Sequence, residues 1–162
     1  MSKEMKVNLW WCFFIAVISV IYAVIYSALP LAHPVMWCTY ISCPIYFLYQ
    51  GTLKDIPGLA CNIILGFTWG SVCLLIMEHA SFFGTTQAQI LGVFIAVFVA
   101  CALHMGVGLN TFLGRCPLVF ASFACCFANE GGNILAVCGT LIFGLFLGEI
   151  FNQSKKWAEK LA

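Results

Sequence analysis

The sequence predicts an all-α membrane protein with six transmembrane helices, arranged as two inverted three-helix repeats. Three observations support this prediction: the composition, six apolar runs, and the placement of the basic residues. Of the 162 residues, 63% are hydrophobic and only 8% are charged, whereas an ordinary globular domain carries about 25% charged residues. A soluble chain this poor in charge could not cover its surface with polar groups. A bilayer removes that requirement because lipid is the solvent of the outer surface.

The six apolar runs give the predicted spans. A spanning helix needs about 20 mainly apolar residues, and the runs cover residues 8–29, 35–50, 58–77, 88–107, 109–128 and 133–151. No cleavage site of the Ala-x-Ala type follows the first run, so we expect this helix to be retained. The chain is interpreted as one transmembrane domain, residues 1–162, with a cytoplasmic tail over residues 153–162.

The basic residues predict the orientation. There are seven: Lys3, Lys6, Lys54, Arg115, Lys155, Lys156 and Lys160. With a cytoplasmic N-terminus, six of them fall in cytoplasmic segments, and the opposite loops around His33, His79 and Glu130 contain none. Arg115 lies near the cytoplasmic end of the fifth run, where its long side chain can extend to the interface. The positive-inside rule therefore predicts a multi-pass protein with both termini in the cytoplasm.

A short repeated sequence suggests duplication. Cys43-Pro44 in the first half of the chain returns as Cys116-Pro117 in the second half. The same alignment brings the third and sixth helices nearly into register, pairing Gly58 with Gly132 and Gly70 with Gly144. A unit of three spans is odd, so its second copy must enter the membrane from the opposite side. The predicted repeats cover about residues 8–79 and 87–152.

Two glycine motifs predict close helix packing. Gly66 and Gly70 lie four residues apart in the third helix, and Gly144 and Gly148 do so in the sixth. Glycines at this spacing let two backbones approach closely. We expect the third and sixth helices to cross at these glycines and to form the centre of the fold.

The two interior prolines, Pro44 and Pro117, predict helix breaks. A mid-helix proline frees the carbonyl one turn earlier, here at Tyr40 and Leu113. In hydrocarbon that carbonyl needs a partner helix, a polar side chain or a water-filled cavity. Two interpretations remain open: a kink accommodated by packing, or a broken helix that lines a solute path.

Polar and ionisable side chains within spans indicate where a path could run, because they are costly unless they face a cavity or a partner. The candidate path residues are Asn62, Trp69, Trp37, Tyr40, Asn133, His104, Glu149 and Arg115. Glu149 and Arg115 could form a structural ion pair or a gate. The aromatic residues could narrow a pore, and simple packing explains them as well.

No motif indicates catalysis, a cofactor or a metal. The ten cysteines lie mostly within apolar runs, without C-x-x-C pairs or histidines at zinc-ligand spacing. Packing as small apolar residues explains them, and a redox or metal role for some of them is the alternative. Hydrolase, metalloprotease and phosphate-binding motifs are lacking, so we expect no enzyme. The net charge of +1 gives no indication of nucleic-acid binding.

The size, the six spans, the Trp69-Gly70 pair and the duplicated proline-containing helices resemble the YcdZ-like proteins, domain-of-unknown-function family 1097. This resemblance covers almost the whole chain and implies a bacterial cytoplasmic (inner) membrane protein, without implying any chemistry. The general plan also resembles urea, ammonia and water channels, which is an analogy of fold and does not fix function. The Asn-Pro-Ala signature of aquaporins is lacking, which counts against that family.

The sequence therefore favours a channel or facilitator for a small neutral or weakly charged solute. The alternatives are a non-transporting membrane scaffold or regulatory subunit, and a small coupled secondary transporter. The expected partners are the lipid bilayer, a small-molecule solute and further copies of the chain in a homo-oligomer.

Overall fold

The structure is a computed structural model that describes residues 2–30 and 34–162, and all regular structure in these ranges is helical. The six α-helices are α1 (Lys3–Ser27), α2 (Thr39–Leu48), α3 (Ile56–His79), α4 (Thr85–Cys101), α5 (Cys116–Ala128) and α6 (Ile134–Leu161). A 3-10 turn, Met36–Cys38, leads into α2, and another, Ser81–Phe83, precedes α4. A π-helical segment, Ala102–Val107, continues α4. His33 of the first predicted loop lies outside the described residues.

Four of these helices are long and apolar enough to cross a membrane, which supports the predicted membrane character of the chain. They are α1, α3, α4 with its π-helical extension, and α6. The segment Met36–Leu48, which contains α2, and helix α5 are shorter. At about 1.5 Å per residue each is only about 20 Å long, less than the hydrocarbon core of about 30 Å.

The predicted fifth span is wrong at its beginning, because α5 starts at Cys116 and residue 109 lies outside it. Pro117 is therefore not a mid-helix break: it lies in the first turn of α5, where its missing N–H would have no helical partner. Thr111 explains the difference, since its hydroxyl donates to the Gly108 carbonyl and accepts from the Leu113 N–H. Such local bonds compete with a helix. Pro44 does lie inside α2.

The helices are arranged around α3 and α6, which contact each other. Helices α4 and α5 pack on α3, and α1 and α2 pack on α6. The largest fully buried side chains include Tyr46, Ile63, Phe67, Leu118, Leu141 and Leu145. Most of α1 and α4 is exposed, as expected for outer helices that face lipid. Helix α6 continues to Leu161, so the predicted tail extends this helix.

Each short helix packs against its long partner through a serine and a glycine. The Ser42 hydroxyl of α2 donates to the Leu141 carbonyl of α6 at 2.6 Å, and the Ser122 hydroxyl of α5 donates to the Ile63 carbonyl of α3 at 2.5 Å. Gly144 and Gly66 lie beside these bonds, and an added Cβ would overlap a backbone carbonyl oxygen of the facing helix at either one. Only glycine permits this approach.

The prediction that α3 and α6 cross at these glycines is wrong. Gly66 faces Val119 and Ser122 of α5, whereas Gly144 faces Thr39 and Ser42 of α2. Helices pair according to which faces complement each other, and the spacing of glycines along one helix does not specify the partner. The motifs therefore join each long helix to a short one.

The matched contacts follow nearly one register. The separation along the chain between Ser42 and Ser122 is almost the same as that between Gly66 and Gly144. Along the chain, the two Cys-Pro copies lie closer together than these pairs, by about one and a half to two helical turns. The contacts and the Cys-Pro copies therefore align the two halves of the chain differently.

Candidate functional site

A cavity of about 390 Å³ opens where α3 and α5 begin. It is lined by Lys54, Asp55, Pro57, Gly58, Leu59, Phe112 and Arg115. The charged residues border the cavity, and Gly58 and Phe112 meet within it: a Cβ added at Gly58 would lie 3.3 Å from the Phe112 Cβ. We call this space the vestibule.

Two charged residues of the vestibule, Asp55 and Arg115, contact neighbouring side chains. The Asp55 carboxylate accepts bonds from the Thr52 hydroxyl at 2.7 Å and from the Thr52 N–H at 2.9 Å. These bonds, with a smaller contribution from Arg115, hold the pKa of Asp55 below its ordinary value, so this residue remains an anion. The Arg115 guanidinium lies over the Tyr49 ring, 4.7 Å from its centroid.

Arg115 and Glu149 have different partners. The Glu149 carboxylate accepts bonds from the Tyr46 hydroxyl at 2.6 Å and from the Gln153 amide. It lines a separate polar groove between α6 and the α2–α3 connection. Arg115 and Glu149 thus interact with other side chains and do not form the ion pair that the sequence suggested.

Asn62 lies directly below the vestibule and is completely buried. Its side-chain amide donates to the carbonyls of Gly58 and Phe112, each at 2.7 Å. Both acceptors belong to residues that line the vestibule. The remaining oxygen, Oδ1, has no hydrogen-bond partner among the described residues. An unpaired buried acceptor costs about 1–3 kcal/mol, so this atom indicates a position for a hydrogen-bond donor.

His104 belongs to the same cluster and is 3% exposed. Its Nδ1 is 2.7 Å from the Leu113 carbonyl, and its Nε2 is 3.3 Å from the Trp69 indole nitrogen. The carbonyl can only accept and the indole can only donate. His104 is therefore a neutral imidazole with its proton on Nδ1. It belongs to the π-helical segment, a geometry frequent at functional sites.

Three predicted path residues thus meet at one position. Asn62 and His104 bind consecutive carbonyls, those of Phe112 and Leu113, and Trp69 binds His104. The sequence did not predict that the 108–115 segment, which supplies the carbonyls, is non-helical. Nearly all of this segment belongs to the fifth apolar run. Its signal was present: Gly108, Thr111 and Gly114 are typical of a turn.

The other predicted path residues are dispersed. Trp37 and Tyr40 are 43% and 40% exposed on the outer surface of the α2 region, and the Tyr40 ring contacts Tyr22 edge to face. Asn133 is exposed and precedes α6 with a left-handed φ of 55°. Neither Trp37 nor Tyr40 is among the residues that line the vestibule.

A second polar cluster joins α1 and the α2 region to α6. The Tyr22 hydroxyl bonds the Thr39 hydroxyl at 2.5 Å, and the Tyr26 hydroxyl bonds the Thr140 hydroxyl at 3.4 Å. The Val35 N–H donates to Tyr26, and Thr39 donates to the Thr140 carbonyl. Thr140 and Asn62 have the same separation along the chain as Gly144 and Gly66, so they occupy matched positions in α6 and α3. Each of the four hydroxyls in this cluster has a partner.

The core between α3, α5 and α6 is closed. Ile63, Phe67, Leu118, Leu141 and Leu145 are at most 1% exposed, and they fill the core that α3, α5 and α6 share. The described residues form no group of three or more His, Cys, Asp or Glu side chains placed to hold a metal ion. All ten cysteines are free thiols, and six of them are buried.

Comparison with known protein families assigns the chain to one of them. A family model described as "Protein of unknown function (DUF1097)" matches residues 12–156. The chain belongs to this family. The resemblance found in the sequence is thereby confirmed. The matched residues include all of α2 to α5 and most of α1 and α6. Searches of curated proteins and of solved structures gave no match.

Proposed function

We propose that this chain is a facilitator for a small neutral or weakly charged solute, with a solute position at Asn62. One observation carries the proposal: a completely buried asparagine leaves its Oδ1 unpaired directly below a cavity that opens at the start of α3. A buried asparagine with a purely structural role would have hydrogen-bond partners for both its side-chain nitrogen and its side-chain oxygen. No enzymatic activity and no cofactor are part of the proposal.

The matched contacts support an architecture of six spans in two inverted halves. Besides the serine and glycine contacts, α2 and α5 end in the same turn, with left-handed φ values of 48° at Gln50 and 51° at Glu130. The N–H of Gly51 donates to the Tyr46 carbonyl at 3.0 Å, and that of Gly131 donates to the Cys126 carbonyl at 2.9 Å. These turn residues follow the same register as Ser42 and Ser122. Inverted repeats are a frequent plan of transporters.

The proposed orientation follows the basic residues, with both termini and the vestibule on the cytoplasmic side of a bacterial inner membrane. The lysines of the α2–α3 connection and of the α6 end then face the cytoplasm together with Arg115. We expect a homo-oligomer, because six spans of this length form a narrow bundle.

A closed core favours a gated path over an open pore. Phe112 against Gly58 separates the vestibule from Asn62, and apolar side chains fill the interior beyond. The Phe112 side chain is the natural moving part, because it is 56% exposed and contacts Gly58, whereas the Asn62 and His104 bonds hold the backbone of the 108–115 segment. Rotation of this ring away from Gly58 would open the vestibule towards Asn62 and keep those bonds intact.

The glycine contacts bear on the alternative of a membrane scaffold. That alternative predicts small-residue faces that point outward to other proteins. Gly66, Gly70, Gly144 and Gly148 are all buried between helices of the same chain. No specific observation favours the scaffold or the coupled transporter.

Solute flux into proteoliposomes tests the proposal. Stopped-flow light scattering across a panel of small solutes should show flux above empty liposomes for at least one. Gly58→Leu should abolish it, because the new side chain would press on Phe112 and fill the vestibule. Gly139→Leu is the matched control, since an added Cβ there meets no atom within 4 Å.

Two outcomes would contradict the proposal. One is the lack of flux for every solute by correctly folded protein. The other is equal flux in the Gly58→Leu variant and in the control.

A further inference from the structure

The hydrogen-bond donors and acceptors of the cluster around Asn62 can be counted one by one. The Asn62 amide has two N–H groups, and both are used, on the carbonyls of Gly58 and Phe112. A flipped amide would bring Oδ1 against these two carbonyl oxygens, so the bonds fix the orientation of the side chain. The free capacity of Asn62 is therefore an acceptor.

The neighbouring rings add no free donor. The single N–H of the neutral His104 is used on the Leu113 carbonyl, and the single N–H of Trp69 is used on His104. The carbonyls of Phe112 and Leu113 each keep a second lone pair, whereas the Gly58 carbonyl also accepts the helical bond from the backbone N–H of Asn62. Every side-chain N–H of the cluster is thus occupied, and only oxygen acceptors remain available.

This inventory decides which solutes the site can bind. An oxyanion would bring further acceptors to oxygen atoms and would lose its hydration without compensation. A solute with N–H groups would satisfy Asn62 Oδ1 and remove the cost of an unpaired acceptor. Hydrogen-bonding capacity therefore selects donors against anions.

The vestibule adds a selection on charge. Its charged residues are two cations, Lys54 and Arg115, and one anion, Asp55. A cationic solute would pass an entrance with a net positive charge, which raises its energy there. The free acceptor at Asn62 and the net positive charge at the entrance are together compatible only with a neutral solute that donates N–H groups.

We infer that the solute class is a small neutral N–H donor, of the urea, amide or ammonia type, bound through Asn62 Oδ1. This inference rests on the proposed function and specifies its solute. The vestibule, with its volume of about 390 Å³, has ample room for molecules of this size.

Three planar solutes of similar size separate the possibilities. Urea is a neutral N–H donor, guanidinium is a cationic N–H donor, and nitrate is an anion with acceptors only. In proteoliposomes of the full-length protein, urea flux above the empty-liposome background should exceed the flux of both ions by at least about tenfold, the factor expected for one hydrogen bond. Ammonia flux, measured with an internal pH dye, provides a second neutral donor.

Asn62 variants test the assigned atom. Asn62→Leu should lower the urea flux by about tenfold or more, because it removes the acceptor while keeping the volume. Asn129→Leu is the matched control, since Asn129 also donates to a backbone carbonyl, that of Cys125, and lies at the opposite end of α5 from the vestibule. Gel filtration checks folding, and Asn62→Ala provides a smaller substitution that also lacks an acceptor if the leucine variant fails to fold.

The outcomes separate this inference from the proposal on which it rests. Nitrate or guanidinium flux above that of both neutral donors would overturn the inference and leave a facilitator in place. Urea or ammonia flux that is unchanged in a folded Asn62 variant would overturn the assignment to Oδ1. If no solute of the wider panel moves, both the facilitator and its solute class are wrong.

Discussion

The α2/α6 pair and the α5/α3 pair use the same packing and different polar chemistry. In both, a serine hydroxyl binds a carbonyl beside a glycine, and the short helix ends in a left-handed turn. At matched positions, however, α6 has Thr140 and α3 has Asn62. The threonine belongs to a fully bonded hydroxyl cluster, whereas the asparagine keeps an unpaired oxygen.

This difference separates the packing contacts, which both pairs share, from the polar residues around them, which differ between the pairs. Close packing between helices in a membrane depends on small residues and on carbonyl partners, and both pairs retain these. The polar residues around the packing contacts are free to differ. In the α2/α6 pair they form hydrogen bonds that join α1 and the start of α2 to α6. In the α5/α3 pair they surround an acceptor oxygen that has no hydrogen-bond partner. The second pair is therefore where we expect binding.

The largest expected effect tests whether the two pairs really share their packing. Gly66→Leu and Gly144→Leu should each destabilise the protein by about 3 kcal/mol, the upper range for overpacking, because an added Cβ overlaps a facing carbonyl oxygen. The melting temperature in detergent and the folded yield measure this. Gly106→Leu and Gly139→Leu, where an added Cβ meets nothing, should stay near the wild type. A large loss at only one of the two packed glycines would break the equivalence of the pairs.

The next effect concerns a position where the pairs differ in charge. Tyr46→Phe should cost about 2 kcal/mol, because it removes a hydroxyl bound to a carboxylate. Its counterpart is the 3.7 Å contact between Ser71 and Cys126, so Ser71→Ala should cost only a few tenths, about 0.3 kcal/mol. Thermal unfolding of both variants in one detergent gives the comparison. Equal losses would mean that the Glu149 carboxylate contributes nothing special to the α2/α6 pair.

A smaller and equal effect is expected for the two serines. Ser42→Ala and Ser122→Ala each remove a short hydrogen bond to a carbonyl of the long helix, which should lower stability by about 1 kcal/mol. Ser42→Ala also removes a longer contact with the Thr39 carbonyl, 3.3 Å, which adds little to this value. A double variant should lose the sum of the two values, because the sites share no partner. Losses that differ by more than about twofold would show that one pair carries more of the folding free energy.

The smallest effect concerns the connections. The α2–α3 connection has a carboxylate cap, Asp55 on Thr52, and the pKa of Asp55 is lowered in the folded state. A lowered folded pKa stabilises the protein above the unfolded pKa, and this contribution is lost as the pH falls through the folded value. Acidification from about pH 6 to about pH 3 should therefore lower the melting temperature slightly more in the wild type than in Asp55→Asn. An identical pH dependence in both would exclude the cap as its source.

The predicted orientation, oligomer and transport activity remain predictions, and the structure sharpens where to test them. The sequence predicted Asn62 and His104 as path residues because polar groups are rare and costly in apolar spans, and Trp69 as part of an aromatic constriction. Hydropathy could not reveal that consecutive carbonyls of the 108–115 segment connect them. Leu109, Phe112 and Leu113 make that segment resemble the start of an apolar run, and the Thr111 bonds interrupt its helix.

The sequence by itself determined the membrane character, the presence of six helices and the need for close packing at four glycines. These properties depend on composition and on local spacing, which a bilayer translates directly into helices. The tertiary structure decided the partners: α5 for the glycines of α3, α2 for those of α6, and different partners for Arg115 and Glu149. It also placed Pro117 at a helix start. Partner choice depends on complementary faces of distant segments, which no local pattern contains, and the unpaired oxygen of Asn62 exists only because of that choice.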